Sequence, residues 1–232
     1  MEAMARGCVV PDPPRRCNGL GPRYLSSMPA PTVSHRKAVN HLRKSDPVLA
    51  KIIAEVGPCR YEVKKFGTHF DALCRSIIYQ QLSTKAAATI HGRFLDLFED
   101  RAPSPEALLA IPEPKLRGVG LSSQKAAYIR DLANKVHSGA LPLDHLDTLG
   151  DAEIIDYLVQ VKGIGVWTAQ MFLMFRLGRL DVLPDLDLGI RNAIKKAYRV
   201  RGVPTPKRIA KFGEPWRPYA SIACWYLWRS LD

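Results

Sequence analysis

Leu158-Val159-Gln160-Val161-Lys162-Gly163-Ile164-Gly165-Val166-Trp167-Thr168-Ala169 is the stretch that decides how this chain is read. An apolar helix end runs into Gly-Ile-Gly and straight into a second helix. Glycines at such a junction let the backbone turn tightly and leave its amides uncovered by side chains. The N-terminus of the following helix adds partial positive charge, so the turn is suited to a phosphate. A tight helix–helix turn with no ligand is the plain alternative. Leu158, Val161, Thr168 and Ala169 in register with the two glycines favour the helix-hairpin-helix pattern, at about 158–170, which grips a nucleic-acid backbone without reading its sequence.

The rest of the chain is helical in pattern. Ser45-Asp46-Pro47 offers an N-cap and a first-turn proline for a helix through Val48, Ile52 and Ile53. Phe70, Leu73, Cys74, Ile77 and Ile78 recur at three and four, the stripe of a buried helix. Ser83 caps a helix bearing Ala87, Ile90, Phe94 and Leu97. Further helices are expected at 105–110, 122–137, 151–160, 165–177, 188–198, 206–212 and 215–229, the last opening on Pro215. Only Arg60–Lys65 reads as strand, too short to build a sheet. The expected fold class is all-α with short connections.

A second glycine turn, Leu116-Arg117-Gly118-Val119-Gly120-Leu121-Ser122, precedes a helix containing Lys125, and reads equally as a structural turn or a backbone-contact site. In Asp181-Val182-Leu183-Pro184-Asp185-Leu186-Asp187-Leu188, Asp187 stands where a helix begins. There it is an N-cap, a metal-binding partner of Asp185 lacking further ligands, or a functional carboxylate.

Composition bounds the function. The 232 residues carry 34 Lys+Arg against 22 Asp+Glu, a formal net charge of +12, with 47% hydrophobic residues. The charge is uneven: residues 1–45 hold eight basic and two acidic side chains, and 188–217 hold nine basic and one acidic, while 46–187 are nearly neutral. Such basic stretches favour nucleic acid or an anionic surface over an acidic small substrate. No run approaches the roughly 18 apolar residues of a membrane span, and no secretory h-region opens the chain. The five cysteines are scattered and odd in number, with spacing that suits neither zinc nor an iron–sulfur cluster. A soluble, intracellular protein is expected, in a bacterial cytoplasm or a nucleus. Residues 1–33, rich in proline and arginine, read as a disordered tail, with Met28 an alternative start.

Taken in order, the motifs resemble the helix-hairpin-helix DNA glycosylase superfamily, and more narrowly the DNA-3-methyladenine glycosylase II family. The resemblance is carried by Gly163–Ala169 with Asp187 twenty residues after Trp167, by Arg75-Ser76-Ile77-Ile78-Tyr79-Gln80-Gln81-Leu82-Ser83, by Val119–Ala126, and by Pro215-Trp216-Arg217-Pro218-Tyr219 with Trp225. It covers roughly residues 35–229, and 34–60 leaves no room for the β-rich N-terminal domain of some members, so the compact helical form is the match.

The resemblance implies one domain over 34–232, made of two helical subdomains with an active cleft between them. Asp187 falls on the catalytic aspartate. Trp167 and Trp225 fall on aromatic walls of the base pocket, joined by Tyr79 and by Met171 where some relatives have an aromatic. Val161, Lys162, Gly163, Ile164, Gly165 and Thr168 form the DNA-backbone hairpin. The loop Gln80-Gln81-Leu82-Ser83 matches the wedge that enters the duplex, either Gln81 or Leu82 being the intercalating residue. The carbonyls of Val159, Val161 and Gly163 match the place of a sodium or potassium ion; no iron–sulfur cluster is implied. Trp167 replaces the lysine nucleophile of strand-cutting members. The implied activity is monofunctional hydrolysis of alkylated purines (3-methyladenine, 7-methylguanine) from double-stranded DNA by a monomer. Two alternatives stay open: a non-catalytic DNA-binding module, and a glycosylase for neutral lesions such as hypoxanthine or ethenoadenine.

Overall fold

The computed structural model describes residues 35–232. The proline-rich segment read as a disordered tail, and the alternative start at Met28, lie outside the described residues. The described chain is helical, with no strand. In order it forms α1 (His35–Ser45), α2 (Pro47–Val56), α3 (His69–Tyr79), α4 (Thr84–Leu95), α5 (Pro105–Ala110), α6 (Glu113–Gly118), α7 (Ser123–His137), α8 (Asp151–Leu158), α9 (Val166–Phe175), α10 (Leu188–Ala197), α11 (Pro206–Gly213) and α12 (Ala220–Arg229). No described helix is long and apolar enough to cross a membrane.

The helices begin where local chemistry tells them to. Asp46 accepts from the amides of Val48 and Leu49, and Pro47 occupies the first turn of α2. Thr68, Ser83, Ser104, Ser122 and Thr205 cap α3, α4, α5, α7 and α11 through their side-chain oxygens. The helix expected to open at Pro215 does not. A short 3₁₀ turn covers Glu214–Trp216 and α12 starts only at Ala220. Pro218 is the reason, because its ring excludes the helical conformation from the residue before it, and Arg217 is extended at φ −62°, ψ 140°.

Two compact units divide the chain: 35–61 with 188–232, and 62–187. In the first, α12 is buried from Ala220 to Trp228 and packs against α1, α2 and α10. Asp46 ties this unit together, since its second carboxylate oxygen accepts from Trp216 Nε1 at 2.8 Å and from the Tyr198 hydroxyl.

In the second unit α3 is the centre, its Phe70, Leu73, Cys74, Ile77 and Ile78 all buried as their spacing required. It packs on α4, α7 and α9, while α8 pairs with α9. The segment expected as strand forms no ladder. Lys64 N donates to Phe175 O at 2.8 Å, and the Arg176 guanidinium donates to the carbonyls of Lys64, Phe66 and Gly67. With no neighbouring strand to pair with, these carbonyls are met by a side chain instead.

Candidate active site and DNA-backbone hairpin

The junction between α8 and α9 forms the tight turn that the Gly-Ile-Gly stretch implied. Gly163 sits at φ +84°, and a Cβ there would lie 2.5 Å from Tyr128 Cε2. Glycine is therefore required twice, by the left-handed backbone and by the ring behind it. Val161 and Ile164 are buried anchors, Lys162 is exposed, and Thr168 is buried in α9. Asp131 Oδ2 accepts from Lys162 N at 2.9 Å, fixing the turn to α7.

Gly165 differs from Gly163. It is the N-cap residue of α9 with an ordinary φ of −96°, makes no side-chain cap, and a methyl added there would meet nothing within 4 Å. The first amides of α9 therefore lack a side-chain acceptor at the cap, and the residues that carry them, Gly165, Val166 and Trp167, are exposed. An uncapped helix N-terminus with aligned amide dipoles attracts an anion, and a phosphate oxygen suits it.

Asp187 is 5% exposed and accepts from Trp167 Nε1 through Oδ2 at 2.7 Å. That distance is in the range of charge-assisted hydrogen bonds. The carboxylate is presented by a folded loop: Val182 and Pro184 are buried, Asp185 N donates to Leu183 O, and Asp187 N donates to Pro184 O. Arg179 braces the start of that loop by donating to the carbonyls of Leu146, Asp147 and Leu149. Leu186 on one side of Asp187 is 55% exposed, so a buried carboxylate sits beside an apolar, solvent-facing surface.

The Tyr79–Ser83 loop follows α3. Gln81 and Leu82 are both exposed, and Gln81 holds φ +57°, an uncommon conformation for a residue with a side chain. Gln80 turns the other way and donates from Nε2 to Gly163 O at 2.8 Å. Ser83 is occupied in capping α4. Tyr79 is half-buried, with the Arg75 guanidinium 4.1 Å from its ring centre and His91 edge-on to it.

Met171 is half-buried on α9, one turn beyond Trp167. Trp225 belongs to the other unit, 7% exposed in α12, with its ring edge-on to Tyr226. Trp216 and Trp228 are buried there as well. The second glycine turn is engaged in packing: Gly120 has φ +104°, and a Cβ there would lie 3.1 Å from Ile90. Three side chains of α7 stand behind the hairpin or the loop, Lys125, Tyr128 and Asp131; only Lys125 falls within a sequence motif, and there as a residue after the second glycine turn, not as a partner of this loop. Their spacing of three puts them on one face, but their targets are remote in the chain.

Among the described residues no three His, Cys, Asp or Glu side chains gather to hold a metal. The carbonyls of Val159, Val161 and Gly163 are a different donor set, neutral oxygens suited to a hard cation such as sodium or potassium. Gly163 O already accepts from Gln80 and Val161 O from Ile164 N, which leaves each a second lone pair.

Comparison with known proteins fits this geometry. Residues 74–218 match the HhH-GPD superfamily of base excision DNA repair proteins, and the chain belongs to that family. Relatives include DNA-3-methyladenine glycosylase 1 of Schizosaccharomyces pombe, 34% identical over 184 residues, covering 78% of this chain and 80% of that one. A putative DNA-3-methyladenine glycosylase, YfjP of Bacillus subtilis, is 34% identical over 169 residues, covering 70% of this chain and 59% of the relative's length. The solved structure of the S. pombe 3-methyladenine DNA glycosylase Mag1 in complex with abasic DNA superposes with a TM-score of 0.72 at 33% identity, covering 84% of this chain and 96% of that one.

Proposed function

We propose that this protein is a monofunctional DNA glycosylase that hydrolyses the N-glycosidic bond of alkylated purines in double-stranded DNA, with Asp187 as its catalytic carboxylate. Membership of the HhH-GPD superfamily and relatives named as 3-methyladenine glycosylases carry the reaction class, an N-glycosyl hydrolase of base excision repair. The observation that supports the residue assignment is the Trp167–Asp187 hydrogen bond. It couples a buried carboxylate to an aromatic ring that stays 37% exposed beside the hairpin.

The chemistry follows from these groups. The target nucleotide must leave the stack before its sugar can be reached. Gln81 or Leu82, both exposed, fills the gap, offsetting part of a cost of about a few kcal/mol. The uncapped amides of α9 hold a backbone phosphate nearby. An N3- or N7-alkylated purine is cationic, so the Trp167 face attracts it by stacking and cation–π interaction, worth about 0.5–2 kcal/mol. Such a base leaves with its bonding electrons and needs no general acid. Asp187 then stabilises the positive sugar, orients the water that adds to it and takes the proton that water gives up, leaving neutral free base and an abasic site. An alkali ion held by the carbonyls of Val159, Val161 and Gly163 would supply one more positive charge to the phosphate. Trp167 occupies the place of a nucleophilic amine, so no Schiff base forms and the strand stays intact.

Release of 3-methyladenine and 7-methylguanine from methylated DNA tests this. Asp187→Asn keeps an acceptor for Trp167 but loses the charge, and should lower release by about 100-fold or more. Equal release by both proteins, or borohydride trapping of the wild type on abasic DNA, refutes the mechanism.

A further inference from the structure

The Lys125 ammonium donates to Ile78 O at 2.7 Å and Gln80 O at 2.6 Å, at and just beyond the C-terminus of α3. A cation there meets the negative end of the helix and its outermost carbonyls. Gln80 in turn donates to Gly163 O in the hairpin. Further along the same face of α7, Tyr128 packs on Gly163 and Asp131 takes the Lys162 amide. One helix face thus holds both the Tyr79–Ser83 loop and the hairpin turn, and Gln80 joins them directly. Between the tethered Gln80 and the capping Ser83 stand the exposed Gln81, in its left-handed conformation, and Leu82.

We propose that Lys125 is a positioning residue which, through Gln80, locks the loop that enters the duplex to the turn that grips the backbone. The loop is thereby held in place before DNA arrives, so unstacking of the target does not have to bear the cost of ordering it. This rests on the glycosylase reading above. Burial lowers the Lys125 pKa, in keeping with an ammonium withdrawn from water and committed to carbonyls. Lys125 makes no contact with the reacting atoms in this scheme; its influence is confined to the flipping step.

The test compares wild type, Lys125→Met and Lys125→Arg. Amide hydrogen exchange on the DNA-free proteins should quicken in Lys125→Met at residues 80–83 and 162–166 only, and return toward wild type in Lys125→Arg. Base release is then measured from a duplex with one 7-methylguanine opposite cytosine and from the same lesion in an unpaired bulge. Lys125→Met should lose about tenfold or more on the paired lesion, the scale of losing charged hydrogen bonds. On the bulge, where flipping costs less, the loss should stay under about threefold. Unchanged exchange in the two segments, exchange that quickens throughout the protein, or equal loss on both DNAs overturns the proposal. If wild type releases base from neither DNA, the glycosylase reading fails, and the exchange pattern alone decides whether the lock exists.

Discussion

Alanine at Gly163 and alanine at Gly165 are the same change two residues apart, and the structure separates their consequences. At Gly163 the new side chain would have to adopt φ +84°, costing about 1–2 kcal/mol for an L-residue. Its Cβ would also fall 2.5 Å from Tyr128 Cε2 and 2.7 Å from Cγ, well inside contact distance. Turning the ring about its own axis does not relieve the clash, because Cγ lies at the root of the side chain. Overpacking of this kind adds about 1–3 kcal/mol. The total, about 2–5 kcal/mol, corresponds to a melting temperature lowered by about 5–15 °C in a chain of this size. At Gly165 there is neither positive φ nor a neighbour, so Gly165→Ala should shift melting by only a few degrees, as for a poorer cap residue. Yet Gly165 opens α9 at an exposed position, where a methyl takes up space that an approaching phosphate would use. Undamaged-duplex affinity at fixed salt should therefore fall about tenfold in Gly165→Ala, the scale of impairing one charge-assisted hydrogen bond to phosphate. Differential scanning calorimetry and fluorescence anisotropy measure the two quantities. A Gly163→Ala protein that melts within about 2 °C of wild type, which in a chain of this size is less than about 1 kcal/mol, would refute the account of the turn. A Gly165→Ala protein with wild-type DNA affinity would refute the role given to the α9 amides.

Two further perturbations probe the scaffold. Asp46→Ala strands the fully buried Trp216 N–H and the first amides of α2, and should cost about 3–5 kcal/mol by chemical denaturation, whereas Asp46→Asn, which keeps one acceptor oxygen for the α2 amides but turns an NH2 toward the Trp216 N–H, should cost less than alanine without being neutral. His69 Nδ1 accepts from Arg176 Nε at 3.0 Å, and burial, followed by the Arg176 charge, holds His69 below its ordinary pKa. The unfolded chain therefore binds the extra proton first: the contribution is complete above about pH 6.5 and is lost as pH falls toward the lowered native value. The denaturation midpoints of wild type and His69→Gln, whose amide oxygen can still accept from Arg176, should converge or cross between about pH 7.5 and about pH 5; a gap that is constant with pH excludes this linkage.

Much of this protein can be read locally. Asp46-Pro47, Ser104-Pro105, Ser122 and Thr205-Pro206 announce helix starts because a cap bonds to amides only two or three residues away. The α3 stripe is equally plain, since helical periodicity alone puts five apolar residues on one side. The glycine turn at 163–165 is visible for the same reason: backbone freedom is a property of the residue itself. Pro218 is just as visible, and its effect on Arg217 moves the start of α12 to Ala220. What composition and spacing cannot carry are encounters between distant residues. The separation of Trp167 and Asp187 by twenty positions becomes a hydrogen bond only because the 177–187 loop folds back onto α9. Nothing near Gly163 in the chain announces the ring of Tyr128, and nothing near Lys125 announces the carbonyls of Ile78 and Gln80.

The net charge of +12 shows the same division. Charge counts depend on residue type alone, so the sequence by itself determines an excess of cation and its two basic stretches. Where a cation acts depends on what it meets. Lys125 in the near-neutral middle gives its charge to the end of α3, and Arg176 gives its own to the Phe66–Gly67 turn. Helix starts, turns and charge are short-range properties that any stretch of chain carries with it. The carboxylate beside Trp167 and the brace behind the hairpin exist only once packing has offset the entropy lost in bringing remote segments together, and that is decided by the tertiary structure.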